Sequence, residues 1–128
     1  SEADVQEILQ ITQKLSFANE LTGKQQLSLA GQIVQDADRL EALGALGILR
    51  TAYYGGAHGH PLHDEALAPK KIHSKADYRQ GTTVINHFYE KLFLLPEKMN
   101  TTSGKIEAKR REKIMRSFLE EFYQEWRV

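Results

Sequence analysis

Cysteine is absent from the 128 residues, which excludes disulfides, thiolate metal sites and cysteine nucleophiles. Neither sign of charge is in excess. Seventeen basic residues balance seventeen acidic ones to a formal net charge of zero, so no global field draws the chain to nucleic acid or anionic membrane. Any phosphate binding must be local. No apolar run approaches the roughly 18 residues of a membrane span, and the N-terminus lacks the basic-then-apolar pattern of a signal peptide. These absences describe a soluble, cytoplasmic protein. What is present, 41% hydrophobic and 9% aromatic residues, suffices for a single domain over 1–128 with its own core.

The patterning is helical, with no convincing strand. Ser1 to Asp4 fits a capping box, and Val5, Ile8, Leu9, Thr12 and Leu15 recur at helical spacing, predicting a first helix over 2–14. Residues 19–24 contain Thr22-Gly23 and read as a loop. From Gln25 to about Tyr54 no proline intervenes, which predicts a long central helix, either kinked near Gly44 or split in two there. Three glycines and a proline between Gly55 and Pro61 predict its end and a long polar loop over 55–81. Helix resumes at Thr82 or Thr83, carries Val84, Ile85, Phe88, Leu92 and Leu95 on one stripe, and stops at Pro96. Asn100 and Thr101 cap a final helix whose Met115, Phe118, Leu119, Phe122, Tyr123 and Trp126 face a core.

Charge is scarce in the central segment and concentrated where it occurs. Between Leu27 and Tyr54 the charged residues are Asp36, Asp38, Arg39, Glu41 and Arg50, four of them within six positions. An ionised carboxyl in a core helix needs an ion pair, hydrogen bonds or a cation. Helical geometry sets Asp38 one turn from Val34 and Ala42, and Asp36 near Ile33, Leu40 and Leu43, so both are expected to point inward. Arg39 and Glu41 are expected at a site edge or in solvent. A purely structural role for the aspartates, satisfied by Arg39, Arg50 or a helix end, stands beside a chemical one.

The run from Ile33 to Ile48, containing Asp36-Ala37-Asp38-Arg39-Leu40-Glu41, resembles a downstream signature of small bacterial HD-domain metal-dependent phosphohydrolases. Further segments fall in that family's order: Leu15-Ser16-Phe17, Tyr53-Tyr54-Gly55-Gly56 with Pro61-Leu62, Ile85 to Leu92, Met99-Asn100-Thr101, and Phe118 to Phe122 with Trp126. The resemblance implies an all-α helical bundle. It also implies a site in which a histidine, an adjacent His-Asp pair and a distant Asp hold one or two divalent cations, the distant Asp corresponding to Asp38. Asp36 then orients a ligand or the water, and Arg39 contacts phosphate or caps a salt bridge. The metal is drawn from Mn, Mg, Zn, Co, Ni and Fe, because mixed imidazole and carboxylate sites accept several divalent ions.

In that family the first His and the His-Asp pair lie upstream, and residues 1–35 contain no histidine. The chain therefore resembles the C-terminal part of an HD-type domain, supplying only the distal Asp and expected to be inactive alone. His63-Asp64 is a His-Asp pair by letter, but it sits in a Gly/Pro loop after Asp38, where the family has no ligand. His58 and His60 share that loop, and the three histidines are weak candidates for a transition metal. His87 is expected as a hydrogen-bonded core histidine, with Glu90 and Lys91 on the surface. The basic run Lys105, Lys109, Arg110, Arg111, Lys113 and Arg116 reads as an ion-paired solvated face rather than a nucleic-acid contact, because Glu107 and Glu112 each precede an arginine by four residues. The implied partner is a small phosphorylated substrate, nucleotides included. The competing function is a non-catalytic helical module or fragment that associates with another chain, a second copy included, through exposed helix faces.

Overall fold

The computed structural model describes residues 1–17, 26–71 and 82–127. Among these, five α-helices follow one another with no strand: α1 Glu2–Lys14, α2 Leu29–Leu40, α3 Gly44–Ala57, α4 Val84–Glu90 and α5 Thr102–Trp126. The expected first helix and its cap are present, Ser1 Oγ accepting the Asp4 N–H at 3.2 Å. The predicted loop at 19–24 lies outside the described residues.

The central segment is two helices. α2 starts where Ser28 Oγ accepts the Gly31 N–H at 3.2 Å, and it ends with the Leu40 carbonyl receiving Arg111 Nη1 at 2.6 Å. Four residues later Gly44 takes φ +75°, a left-handed value open to glycine at little cost, and α3 leaves in a new direction. A side chain at Gly44 would also press on Arg111, 3.1 Å from its Cγ.

Two boundaries differ from expectation. α3 runs through Gly55 and Gly56 to Ala57, because α4 packs so closely there that a Cβ on Gly55 would approach Val84 Cγ2 to 2.5 Å. Tertiary packing overrides the low helix propensity of the glycine pair. α4 is shorter than its apolar stripe predicts, ending at Glu90, after which short 3₁₀ turns at Leu92–Leu94 and Pro96–Lys98 carry the chain on. Pro96 lacks an N–H and its ring would strike the Leu92 carbonyl in a continuing α-helix, whereas the tighter turns still bury Leu92 and Leu95.

The core forms where α4 and these turns lie against α5 and the start of α3. Phe88, Leu92 and Leu95 meet Leu43, Met115 and Leu119, with Phe17 closing one edge. Of the expected inward stripe on α5, Met115 and Leu119 are buried, while Phe118 and Trp126 remain exposed. The basic run behaves as expected: Glu107 pairs with Arg110 and Arg111, and Glu112 with Arg116, each at 2.7 Å.

Candidate functional site

The acidic knot divides by helical geometry. Residues two apart on a helix point about 200° away from each other, so Asp36 and Asp38 occupy opposite sides of α2. Asp36 is inward, 4% exposed, and its carboxylate is fully engaged. Oδ1 accepts the Asn100 N–H at 2.8 Å and Asn100 Nδ2 at 2.9 Å, while Oδ2 accepts the Thr101 N–H at 2.8 Å and Thr101 Oγ1 at 2.7 Å. Thr101 caps α5, so the carboxylate also lies at the positive end of that 25-residue helix. Burial alone would raise its pKa, but the four hydrogen bonds together outweigh burial and hold it below the ordinary carboxylate value. Asp36 is therefore a clamp between α2 and α5, and among the described residues its hydrogen-bond partners are Asn100 and Thr101.

Arg39 is likewise not at an edge. It is 3% exposed and donates from Nη1 to the Lys98 carbonyl at 3.2 Å, which corrects its expected place at a site edge or in solvent. Gln35 completes this polar interior, donating to the Leu15 carbonyl at 3.2 Å and accepting from Asn100 Nδ2 at 2.9 Å.

Asp38, expected to point inward, is exposed. The buried side of α2 consists of Gly31, Gln35, Asp36 and Arg39, which leaves Leu29, Ile33, Val34 and Asp38 on uncovered sides of the helix. α3 shows a similar uncovered surface in Leu46, Leu49 and Tyr53, the last 83% exposed. One helical turn beyond Asp38, Glu41 holds Arg50 of α3 at 3.1 Å. A divalent cation needs several donors, and among the described residues no three His, Asp or Glu side chains are grouped to hold one. Asp38 offers one carboxylate; the described residues alone do not fit a complete cation site.

The histidines separate. His63 is edge-on to Phe122, Tyr123 and Trp126 at 5.4–5.8 Å between ring centroids, and Asp64 accepts the Ala66 N–H at 2.9 Å in a local turn, so the pair forms no ligand set. His58, His60 and His87 instead share a cavity of about 900 Å³ between α3 and α4, also lined by Arg50, Tyr53, Tyr54, Lys70, Glu90 and Lys91. Burial, then the charges of Lys91 and His60, depress His87 to about 4, so it is neutral at pH 7. Glu90, expected on the surface, is buried and accepts the Lys70 N–H at 2.9 Å. The cavity was not predicted, although a signal existed: Arg50, Tyr54 and His58 recur at steps of four, as do Thr83, His87 and Lys91.

No family model matches the chain. Solved relatives decide the matter. A crystal structure of an HD-superfamily hydrolase from Bacillus thuringiensis is 45% identical, with a TM-score of 0.66 over 80% of this chain and 48% of that one. The chain belongs to the HD superfamily. A Lactobacillus plantarum protein of solved structure shares this HD-type fold at 45% identity and a TM-score of 0.94, covering 98% of this chain and 62% of its own. The Bacillus subtilis protein YpgQ is 34% identical over 113 residues, 88% of this chain and 48% of YpgQ, and its structure in complex with ADP superposes with a TM-score of 0.74. This HD-superfamily chain thus spans about half the length of the curated relative it matches. HD-superfamily hydrolases are generally dependent on divalent metals. No helix among the described residues is long and apolar enough to cross a membrane.

Proposed function

We propose that the chain is the part of a divalent-metal-dependent HD phosphohydrolase that carries the distal metal-ligating aspartate, Asp38, and that its substrate is a nucleotide or a related small phosphate ester in the cytoplasm. The observation that carries this reading is the setting of Asp38. It is an exposed carboxylate on a helix whose uncovered sides are otherwise apolar, a surface that suits coverage by further helices. The histidine and the His-Asp pair that the family resemblance requires are then supplied by helices corresponding to the half of the relatives that this chain does not match. Asp36 and Arg39 contribute by fixing α2 on the start of α5 and on the 3₁₀ turns, which holds Asp38 at a set height on the bundle. The complex of YpgQ with ADP supports a nucleotide as the phosphorylated partner.

The test is phosphate release from nucleotides with Mn²⁺ or Mg²⁺, by residues 1–128 and by the same residues preceded by the His-bearing helices. Release is expected only from the longer protein, and Asp38→Ala is expected to abolish it. A second reading is favoured by the same uncovered faces: the chain is a helical module that docks on another chain. Sedimentation of residues 1–128 separates the two, a lasting stoichiometric complex without hydrolysis in any form supporting the second.

A further inference from the structure

The acids of α5 fall into two sets. In its N-terminal half, Glu107 holds Arg110 and Arg111, and Glu112 holds Arg116. Near its C-terminal end Glu121 and Glu125 stand four residues apart, and no hydrogen bond or ion pair engages either carboxylate among the described residues. Beyond Arg116 the only base is Arg127, at the C-cap. This placement is unfavourable on two counts. Like charges one turn apart repel, and both lie toward the negative end of a 25-residue helix. A cation bound between them relieves both.

Beside these carboxylates runs an aromatic ridge. Phe118, Phe122 and Trp126 follow at steps of four, the rings of Phe122 and Trp126 stacking at 5.6 Å between centroids with a tilt of 21°. His63 packs edge-on against Phe122 at 5.8 Å and Trp126 at 5.4 Å and so steadies them. The ridge, both carboxylates and Leu62 line one groove of about 350 Å³, and Leu62, Phe118 and Trp126 are exposed along it. Aromatic faces attract a guanidinium or ammonium through the ring quadrupole, and neighbouring carboxylates pair with it. A guanidinium suits this groove better than an ammonium, because it is flat enough to lie on the ridge and forks onto a carboxylate.

The dimensions favour a peptide over a small cation. From Phe118 to Trp126 the ridge runs about 12 Å at the helical rise of about 1.5 Å per residue, the reach of about four extended residues. Glu121 and Glu125 are about 6 Å apart along the axis, close to the roughly 6.6 Å between alternate residues on one side of a strand. We propose that this groove docks an extended segment of a partner protein with arginines at alternate positions, one paired with Glu121 and one with Glu125, their guanidinium groups lying over the aromatic ridge. The groove is on a different helix from Asp38, and the proposal does not depend on the hydrolase reading.

Trp126 is the single tryptophan of the chain, so its indole N–H gives one isolated NMR signal. Residues 1–128 are titrated with a short capped peptide carrying arginines on either side of an alanine, with its lysine counterpart, and with spermidine. The arginine peptide is expected to shift the indole signal saturably, to bind several-fold more tightly than the lysine peptide or spermidine, and to weaken as salt is raised. Glu121→Gln and Glu125→Gln should each weaken it about threefold, as expected of a solvent-exposed pair, and the double substitution about tenfold with most of the salt dependence gone. Trp126→Leu, followed through the backbone amides of α5, should weaken it about threefold as well. No shift up to millimolar peptide, or a shift blind to the carboxylate substitutions, overturns the proposal. Equal binding of spermidine or of the lysine peptide overturns an arginine-bearing segment as the occupant. Loss of binding in the longer protein that carries the His-bearing helices also overturns it, because the groove is then covered from within. Hydrolysis by that protein, present or absent, bears on none of these outcomes.

Discussion

Replacing Asp36 by Asn keeps the shape of the side chain and removes half of its accepting capacity. Each carboxylate oxygen receives two hydrogen bonds, so whichever becomes the amide nitrogen presents donors to two donors. Hydrogen bonds to a charged group are worth about 1.5–3 kcal/mol each, so two of them amount to about 3–6 kcal/mol. Loss of the negative charge at the start of α5 adds about 0.5 kcal/mol. Because the site is buried, little of this is screened. We therefore expect Asp36→Asn to lower unfolding free energy by about 4 kcal/mol, a large part of the roughly 5–15 kcal/mol typical of a domain. The assay is urea unfolding followed by circular dichroism. It should also show a change in acid sensitivity: the folded-state pKa lies below the ordinary 3.8, so the stabilisation is complete above that value and fades as pH falls through the lower folded one. The substitution removes that component. A loss under about 1 kcal/mol would refute the clamp.

Two further outcomes follow from the same geometry. Gly104→Ala drives a Cβ into Asp36 Oδ2 and to 2.9 Å from Thr101 Oγ1, so it should destabilise by about 1–3 kcal/mol, and by much less when combined with Asp36→Ala, as read by a double-mutant cycle in urea. His87 should titrate near pH 4 by NMR. Since the unfolded chain takes up its proton at the ordinary 6.5, stability should fall as pH drops from about 6.5 toward 4, by up to about 1.4 kcal/mol per unit, and His87→Gln should flatten that slope.

Local features were legible in the chain. The Ser1 capping box, the break at Gly44 and the Thr101 cap each depend on neighbours within a few residues, and each stands where the pattern puts it. The inward face of α2 was not legible, because apolar neighbours around Asp38 say nothing about which side another helix covers. Gln35, Asp36 and Arg39 are buried through partners roughly sixty residues away in sequence or on distant backbone carbonyls, and no local spacing announces Asn100 or Lys98. The glycine pair at 55 and 56 misled for a related reason, since the close approach of Val84 decides its conformation. The cavity was half legible: the two four-residue ladders are visible in the chain, but not that α3 and α4 turn them toward one space.

The role of Asp38 is tested by metal-stimulated phosphate release from a nucleotide by residues 1–128 joined to the His-bearing helices of the family, with and without Asp38→Ala. Release is expected to require the added helices and to vanish with the Asp38 carboxylate. Strong release by residues 1–128 alone, or release untouched by Asp38→Ala, would contradict that role.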